Sequence, residues 1–364
     1  MPEHEMEIVY RTICNKIRDL EESTVLPKIL ASILTPEQAK LAAELPALPE
    51  ELASKLGRSL KDIESDLQYF YEIGLGTPSA GSGKWNLPRS FPLLFDKIGS
   101  HHKRFIPFLG PEYLDLWPEL EKEYEQYRLA QGTPRHPGRI IPAYLAAKDH
   151  PEFQPWESVK SIFQMADKIA LVDCTCRSKL RHRTCGSHTT ELCFLLNRDA
   201  DYAVDSKAGT YITVDEAVQV CEHCEKLGFV HRVAPKRAVA SLLCNCCNDC
   251  CSGVKWFQKH GNDPQWQFPS RFLAVVNEDL CIGCGTCAKT CYYDAAKTQK
   301  NNGEKSKAMI NPKLCMGCGN CVVACPQDAV KLDCVRPEEF VPRGMWTRGA
   351  EQRTGSKYEK YLDL

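Results

Sequence analysis

The chain has 364 residues, of which 43 % are hydrophobic and 26 % are charged, as is typical of a globular protein with a sizeable buried core. Its formal net charge of −1 excludes a generally basic protein that would be drawn to nucleic acid or to an anionic membrane. The length predicts two or three domains.

The cysteine content and the absence of apolar segments define the expected compartment. No apolar run approaches the length of a membrane helix, and the start, MPEHEMEIVYRT, has neither the basic nor the apolar region of a secretory signal. We therefore expect a cytoplasmic protein without membrane insertion. In a reducing compartment, 21 cysteines indicate metal binding or catalysis rather than a disulfide framework. Cys14 lies in an apolar helical pattern and is predicted to be a buried core thiol, whereas the other twenty fall between Cys174 and Cys334.

Residues 1–90 are predicted to form a helical domain. Three helical stretches follow residue 34, with Thr35 and Ser59 as N-caps and Gly74 as a stop, and residues 76–88 suit a hairpin. The pattern resembles a winged-helix domain, whose third helix often enters the DNA major groove. Residues 1–80 contain 8 Lys/Arg and 14 Asp/Glu, a balance of −6, which disfavours DNA and favours docking of another protein.

The next two segments differ sharply in composition. Residues 91–157 are rich in proline and aromatic residues and are predicted to be a connecting arm, in which the adjacent His101 and His102 are expected to be solvated. Residues 158–260 are predicted to be a Cys-rich, mostly helical domain that begins with an amphipathic helix running into a short strand. A capping box at Thr213 opens a later helix, whose Cys221 and Cys224 fit an apolar core better than a metal site.

Two runs of cysteines near the C-terminus carry the most specific signal. CIGCGTCAKTC and CMGCGNCVVACP both have the order C-x2-C-x2-C-x3-C, and each follows a β-like segment, FLAVVNEDL or KAMINPKL. A short loop can wrap three thiolates around a cubane, and the fourth ligand then arrives from a following helix. Residues 271–335 therefore resemble the bacterial two-cluster ferredoxin, and residues 336–364 are left as a tail. Eight structural or zinc-binding cysteines are the weaker alternative, because zinc sites rarely show this doubled spacing.

This resemblance implies two [4Fe–4S] clusters with crossed ligand sets. One set is Cys281, Cys284, Cys287 and Cys325, and the other is Cys315, Cys318, Cys321 and Cys291. The sequence departs from the pattern at Tyr292, which follows Cys291 where proline is usual, and in a long polar connection between the runs. Neither departure removes a ligand.

The middle of the chain holds a denser and less familiar group of thiols. In CNCCNDCC, Cys244, Cys247 and Cys250 repeat the C-x2-C-x2-C spacing. This spacing predicts a loop that supplies three thiolate ligands to a third cluster. Further ligands are expected from upstream cysteines and from the two left over, namely Cys174, Cys176, Cys185, Cys193, Cys246 and Cys251. Cationic neighbours that would stabilise an anionic cluster are Arg177, Arg181 and Arg183. One or two further clusters are predicted, and a structural zinc site and a thiol–disulfide active site remain as alternatives.

Taken together, residues 158–335 resemble multi-cluster ferredoxin-like proteins of anaerobic bacteria and archaea. The resemblance implies an α+β multidomain protein that transfers low-potential electrons between a donor and a larger enzyme, either a flavoprotein or another iron–sulfur oxidoreductase. Two alternatives stay open: a reductase whose middle cluster is the catalytic site, and a redox-sensing, DNA-binding regulator. The acidic balance of residues 1–80 weighs against the DNA-binding regulator.

Overall fold

The computed structural model describes residues 3–131, 138–238, 241–260, 267–299 and 306–343 of the chain. Most of the predicted C-terminal tail, residues 344–364, lies outside the described residues. Helices and antiparallel strand pairs are both present, as an α+β protein requires. None of the described helices is both long and apolar enough to cross a lipid bilayer.

The described α-helices range from single turns to more than four turns. In chain order they are α1 (Glu3–Cys14), α2 (Leu26–Ile33), α3 (Pro36–Glu44), α4 (Pro49–Leu56), α5 (Leu60–Glu72), α6 (Phe91–Gly99), α7 (His102–Leu109), α8 (Leu116–Gln131), α9 (Tyr144–Ala147), α10 (Val159–Gln164), α11 (Thr175–Ser178), α12 (Arg198–Asp205), α13 (Val214–Lys226), α14 (Ser252–Lys259), α15 (Thr286–Thr290) and α16 (Asn320–Val323).

The described strands are short. In chain order they are β1 (Thr77–Pro78), β2 (Trp85–Asn86), β3 (Arg139–Ile141), β4 (Ile169–Asp173), β5 (Glu191–Leu196), β6 (Gly209–Tyr211), β7 (Val230–Val233), β8 (Leu242–Cys246), β9 (Phe272–Val276), β10 (Ala296–Gln299), β11 (Lys307–Ile310) and β12 (Val330–Cys334). They form a β1–β2 hairpin, a six-stranded sheet in the order β3-β7-β8-β5-β4-β6, and the two-stranded pairs β9–β12 and β10–β11.

The first of two compact units comprises Met1–Pro134, Asp173–His182 and Asp205–Ala208. Thr35 forms the full capping box of α3 and the Ser59 side chain caps α5, as predicted. Gly74 follows α5 with a φ of 81°, and the predicted hairpin is β1–β2. The core is made by apolar faces of α2 and α5 and by aromatic rings of α6 and α8, and Cys14 is fully buried in it, as predicted. The winged-helix assignment stays a prediction.

The prediction of solvated histidines at positions 101 and 102 is wrong. His102 is fully buried, and its ring centroid lies 4.7 Å from that of Trp117. His101 is 3 % exposed and its Nδ1 lies 2.8 Å from the carbonyl oxygen of Lys97. The two rings point in different directions, and both are buried in the packed interior of this unit. Burial lowers the pKa of His102 to about 3, with smaller contributions from the positive charges of Lys179 and His101.

The second unit comprises Arg135–Val172, Arg183–Val204 and Gly209–Leu364, and the six-stranded sheet organises its Cys-rich part. Side chains of α10 and α13 pack with Phe194 and Leu243 of the sheet in one apolar core, which also contains Cys221. The middle of the chain thus contains this sheet in addition to the helices that were predicted for it. Cysteines and Asn245 occupy alternate positions of β8, so the usual apolar alternation of a strand is hidden in this sequence.

The ferredoxin-like segment belongs to the same unit. The strands predicted before each cysteine run are present as β9 and β11, and they pair with β12 and β10 respectively. A buried ion pair joins Arg271 at the start of β9 to Glu157, with Nη2 and Oε2 at 2.9 Å. This pair lies where water is excluded, so each group depends on the other for its charge compensation.

Candidate iron–sulfur and metal centres

The eight cysteines of the two C-terminal runs line two separate pockets. The first pocket is lined by Cys281, Cys284, Cys287 and Cys325, and the second by Cys291, Cys315, Cys318 and Cys321. Each pocket thus takes three thiols from one run and the fourth from the other, which is the grouping that the ferredoxin resemblance implies. Both pockets are partly open to solvent and have mainly apolar linings.

Glycine allows the loops to turn tightly around both pockets. Gly283 has a φ of 70°, and a Cβ there would lie 1.9 Å from the carbonyl oxygen of Ser306. Gly317 has a φ of 63°, and its Cβ would lie 2.1 Å from the carbonyl oxygen of Phe272. No side chain fits at either position without moving backbone, so the sequence requires glycine in both loops.

Hydrogen-bond donors point at the thiols of the first pocket. The backbone N–H of Ala308 lies 3.4 Å from Cys281 Sγ, and that of Ala329 lies 3.3 Å from Cys325 Sγ. The Thr286 hydroxyl lies 3.4 Å from Cys284 Sγ, and hydrogen bonds from Thr286 lower the pKa of Cys284. Converging thiols, donors that favour thiolate and space between them fit a [4Fe–4S] cluster in chemical terms.

The Cys-rich part of the second unit contains two further groups of thiols. One group, which we call the β8 thiols, consists of Cys193 on β5, Cys244 and Cys246 on β8, and Cys251 before α14. Cys244 contacts Cys193 and Cys246, and Cys246 contacts Cys251, so the four form a connected series. Residues 244 and 246 are two apart on one strand, so they project to the same face of the sheet.

The second group, which we call the loop thiols, consists of Cys185, Cys247 and Cys250. Their sulfur atoms all lie within 4.8 Å of one another, and those of Cys185 and Cys250 are 3.7 Å apart. The structure thus brings Cys247 and Cys250 together with Cys185, whereas the contacts of Cys244 are with the β8 thiols. The C-x2-C-x2-C spacing crosses the end of β8, since Cys244 lies in the strand whereas Cys247 and Cys250 lie in the turn after it.

The β8 thiols cannot all ionise without a partner of positive charge. Contact with Cys193 is the largest effect that raises the pKa of Cys244 well above its ordinary value, and contact with Cys244 does the same for Cys246. The cation of Arg232 acts in the opposite direction on both thiols, because it lies opposite Cys244 on the neighbouring strand β7. A bound metal cluster would supply the remaining positive charge.

An apolar core joins the β8 thiols to the second ferredoxin pocket. The buried Tyr293 and Met316 line that pocket and pack in the same cluster as Cys246 and Cys251. Cys318 of the pocket packs against this cluster as well. The fully buried Tyr293 ring therefore lies between two sets of thiols, and burial is the main cause that raises its pKa.

The remaining residues predicted for the site are divided between the two units. Cys174, Cys176 and Arg177 belong to the first unit, where Arg177 is fully buried. Arg181, also in that unit, forms an ion pair with Asp115 at 2.5 Å, so its charge is compensated by a carboxylate. Arg183 is half-buried in the second unit. Their roles at a cluster stay predictions.

The sequence analysis missed Arg232, Tyr293 and a buried network through His231. No local motif marks Arg232 as a neighbour of Cys244, since strand register alone brings them together. Tyr293 follows the departure from the ferredoxin pattern at Tyr292, and its position two residues after Cys291 was the available signal.

Comparison with protein families identifies one domain in the chain. Residues 280–329 match the family described as the 4Fe-4S dicluster domain, and this range contains both cysteine runs. Searches among curated proteins and among solved structures found no match. The matched domain and the abundant cysteines support an iron–sulfur, ferredoxin-like protein with a general role in electron transfer.

Proposed function

We propose that the chain passes low-potential electrons between a donor and a larger redox enzyme. Two [4Fe–4S] clusters would be held by the eight cysteines of the ferredoxin pockets, and a third by the β8 thiols. When bound, such clusters supply one-electron redox chemistry over a wide range of potentials. The chain would hold them, neutralise part of their charge and exclude water from them.

The observation that carries the proposal is the continuous packing from one thiol set to the next. Cys281, Cys287, Cys291 and Cys321 pack around one small apolar cluster, so it touches thiols of both ferredoxin pockets. Tyr293 and Met316 continue from the second pocket to Cys246 and Cys251. A relay requires this succession of closely packed sites, whereas unrelated structural sites do not.

The first pocket also offers access to a partner protein. Cys284 is exposed, and Leu280 and Ile282 beside it are 48 % and 56 % exposed. A redox partner, either a flavoprotein or another iron–sulfur oxidoreductase, can approach the cluster ligands closely at this edge. Apolar residues around an exposed redox site favour such docking.

Anaerobic purification followed by iron and sulfide quantitation tests the proposal. Three cubanes require about twelve iron atoms per chain, and the ferredoxin pockets alone require about eight. Cys244→Ser is expected to lose about four iron atoms, whereas Cys334→Ser, a half-buried thiol outside every group, is expected to lose none. A wild-type content of eight iron atoms would refute the third cluster.

Transfer itself is tested by single-turnover reduction with a low-potential donor. We expect EPR signals of all reduced clusters to appear in the wild type and to be reoxidised together by an acceptor. Reduction confined to the two ferredoxin clusters, with the third isolated, would contradict a relay.

A further inference from the structure

We infer that the loop thiols Cys185, Cys247 and Cys250 hold a single zinc ion, distinct from the iron–sulfur clusters. This site goes beyond the proposed electron-transfer function and does not depend on it. Its role would be structural, because it would join the loop that contains Cys185 to the turn that follows β8.

The distances between the sulfur atoms indicate one ion rather than a cluster. In a tetrahedral site with zinc–sulfur bonds of about 2.3 Å, neighbouring sulfur atoms are about 3.8 Å apart. Cys185 Sγ and Cys250 Sγ are 3.7 Å apart, and Cys247 Sγ lies within 4.8 Å of both. The β8 thiols differ, because they touch in pairs along a series and no three of these four described residues lie this close together.

The ferredoxin pockets provide an internal comparison. Across the described parts of the chain, the loop thiols are the one set of three potential ligand residues whose donor atoms meet the 4.8 Å limit. All eight ferredoxin cysteines are described, yet they form no such set. The sulfur atoms are therefore farther apart in the ferredoxin pockets than among the loop thiols.

The turn that contains Cys247 and Cys250 has the spacing and the hydrogen bond of a zinc-binding turn. Cys247 and Cys250 have the C-x2-C spacing common in zinc sites, and the backbone N–H of Cys250 lies 3.4 Å from Cys247 Sγ. This hydrogen bond stabilises a thiolate at Cys247. Both thiols are 1 % exposed, whereas Cys185 is partly exposed, so the ion would enter from the Cys185 side.

Asp249 holds the Cys185 thiol close to those of Cys247 and Cys250. Its Oδ2 accepts a hydrogen bond of 2.7 Å from the backbone N–H of Thr184 and lies 3.4 Å from Cys250 Sγ. The carboxylate therefore ties residues 184 and 185 to residues 249 and 250. Cys185 reaches the other two thiols because of this contact, although 62 residues of sequence separate it from Cys247.

Metal analysis of the anaerobically purified wild-type protein is the first test. We expect about one zinc per chain, and zinc K-edge absorption should show three sulfur neighbours at about 2.3 Å. Absence of zinc would overturn the inference, as would zinc surrounded by oxygen or nitrogen alone.

Cys185→Ser and Cys247→Ser form the second test, with Cys334→Ser as the matched control. Both variants should lose at least nine-tenths of the zinc and keep the iron content of the wild type, and the control should keep both metals. Variants that retain zinc, or that lose about four iron atoms with it, would show that these thiols serve another purpose. Failure of the proposed function is separate, since it would appear as Cys244→Ser losing no iron while the zinc results stand.

Discussion

His231 and Glu225 form a hydrogen-bonded pair inside the second unit, with Nε2 and Oε1 2.7 Å apart and neither side chain accessible to solvent. The other ring nitrogen, Nδ1, lies 2.6 Å from Oδ1 of Asn245. The amide nitrogen of Asn245 donates to the carbonyl oxygen of Leu192, which leaves its oxygen to face His231. Both ring nitrogens thus face oxygen atoms, so a ring N–H on either side has an acceptor within hydrogen-bond distance.

This network extends from the β8 thiols to the second ferredoxin pocket. At one end, Asn245 lies between Cys244 and Cys246 in β8. At the other, Glu225 accepts hydrogen bonds from the backbone N–H groups of Tyr144 and Leu145 at the start of α9. The preceding residue of that segment, Ala143, donates its N–H to the carbonyl oxygen of Cys318. Hydrogen bonds therefore connect β8 to the segment that contacts the second ferredoxin pocket.

Glu225→Gln is expected to lower the free energy of unfolding by about 3 kcal/mol, because it replaces a buried carboxylate that faces two backbone N–H groups and the His231 ring with an amide that has only one acceptor oxygen. The measurement is anaerobic chemical denaturation followed by circular dichroism. Glu222→Gln on the same helix, at a partly exposed position, serves as the control and should change little. Equal stability of the two variants would show that the buried Glu225 carboxylate does not stabilise this network.

Arg232→Gln is expected to make the potential of the cluster at the β8 thiols more negative, by on the order of 50 mV, since a nearby cation favours the more reduced, more anionic state. Redox titration followed by EPR measures this shift. Arg237→Gln removes the same charge in the same unit, where Arg237 pairs with Glu338, and should shift the potential much less. Indistinguishable potentials for the two variants would contradict the role assigned to Arg232.

How far the sequence predicts this molecule depends on the range of the interactions involved. The caps at Thr35 and Ser59 and the strands before each cysteine run are local, and the sequence predicted them correctly. Contacts such as that of Cys185 with Cys250 depend on the register of a six-stranded sheet and on one carboxylate 64 residues from Cys185. Cysteine spacing cannot encode such contacts, because identical C-x2-C steps occur in a loop and across a strand end.

The burial of His101 and His102 has a similar origin. Their neighbours in sequence include Lys103 and Arg104, which suggest a surface helix. The aromatic side chains that cover His102, Tyr113 and Trp117, lie on the following turn and helix. Only tertiary packing brings them together.

Thr286→Val tests hydrogen bonding at the exposed edge of the first pocket. Loss of the hydroxyl that faces Cys284 Sγ at 3.4 Å should make the potential of that cluster more negative, by roughly 20–40 mV for one modest hydrogen bond. Thr298→Val, at an exposed position of β10, is the matched control. If both variants keep the wild-type potential in protein-film voltammetry, Thr286 does not stabilise the bound thiolate.

His102→Phe is expected to reduce the acid sensitivity of the protein. The folded state holds the pKa of His102 at about 3, below its ordinary 6.5, so the imidazole stays neutral among its aromatic neighbours while the unfolded chain takes up a proton. Stability from this residue is complete above pH 6.5 and is lost as the pH falls towards 3. Between pH 7.5 and 5.0, denaturation should show the wild type losing about 2 kcal/mol more than His102→Phe. Identical losses in the wild type and in His102→Phe would contradict the burial of a neutral histidine.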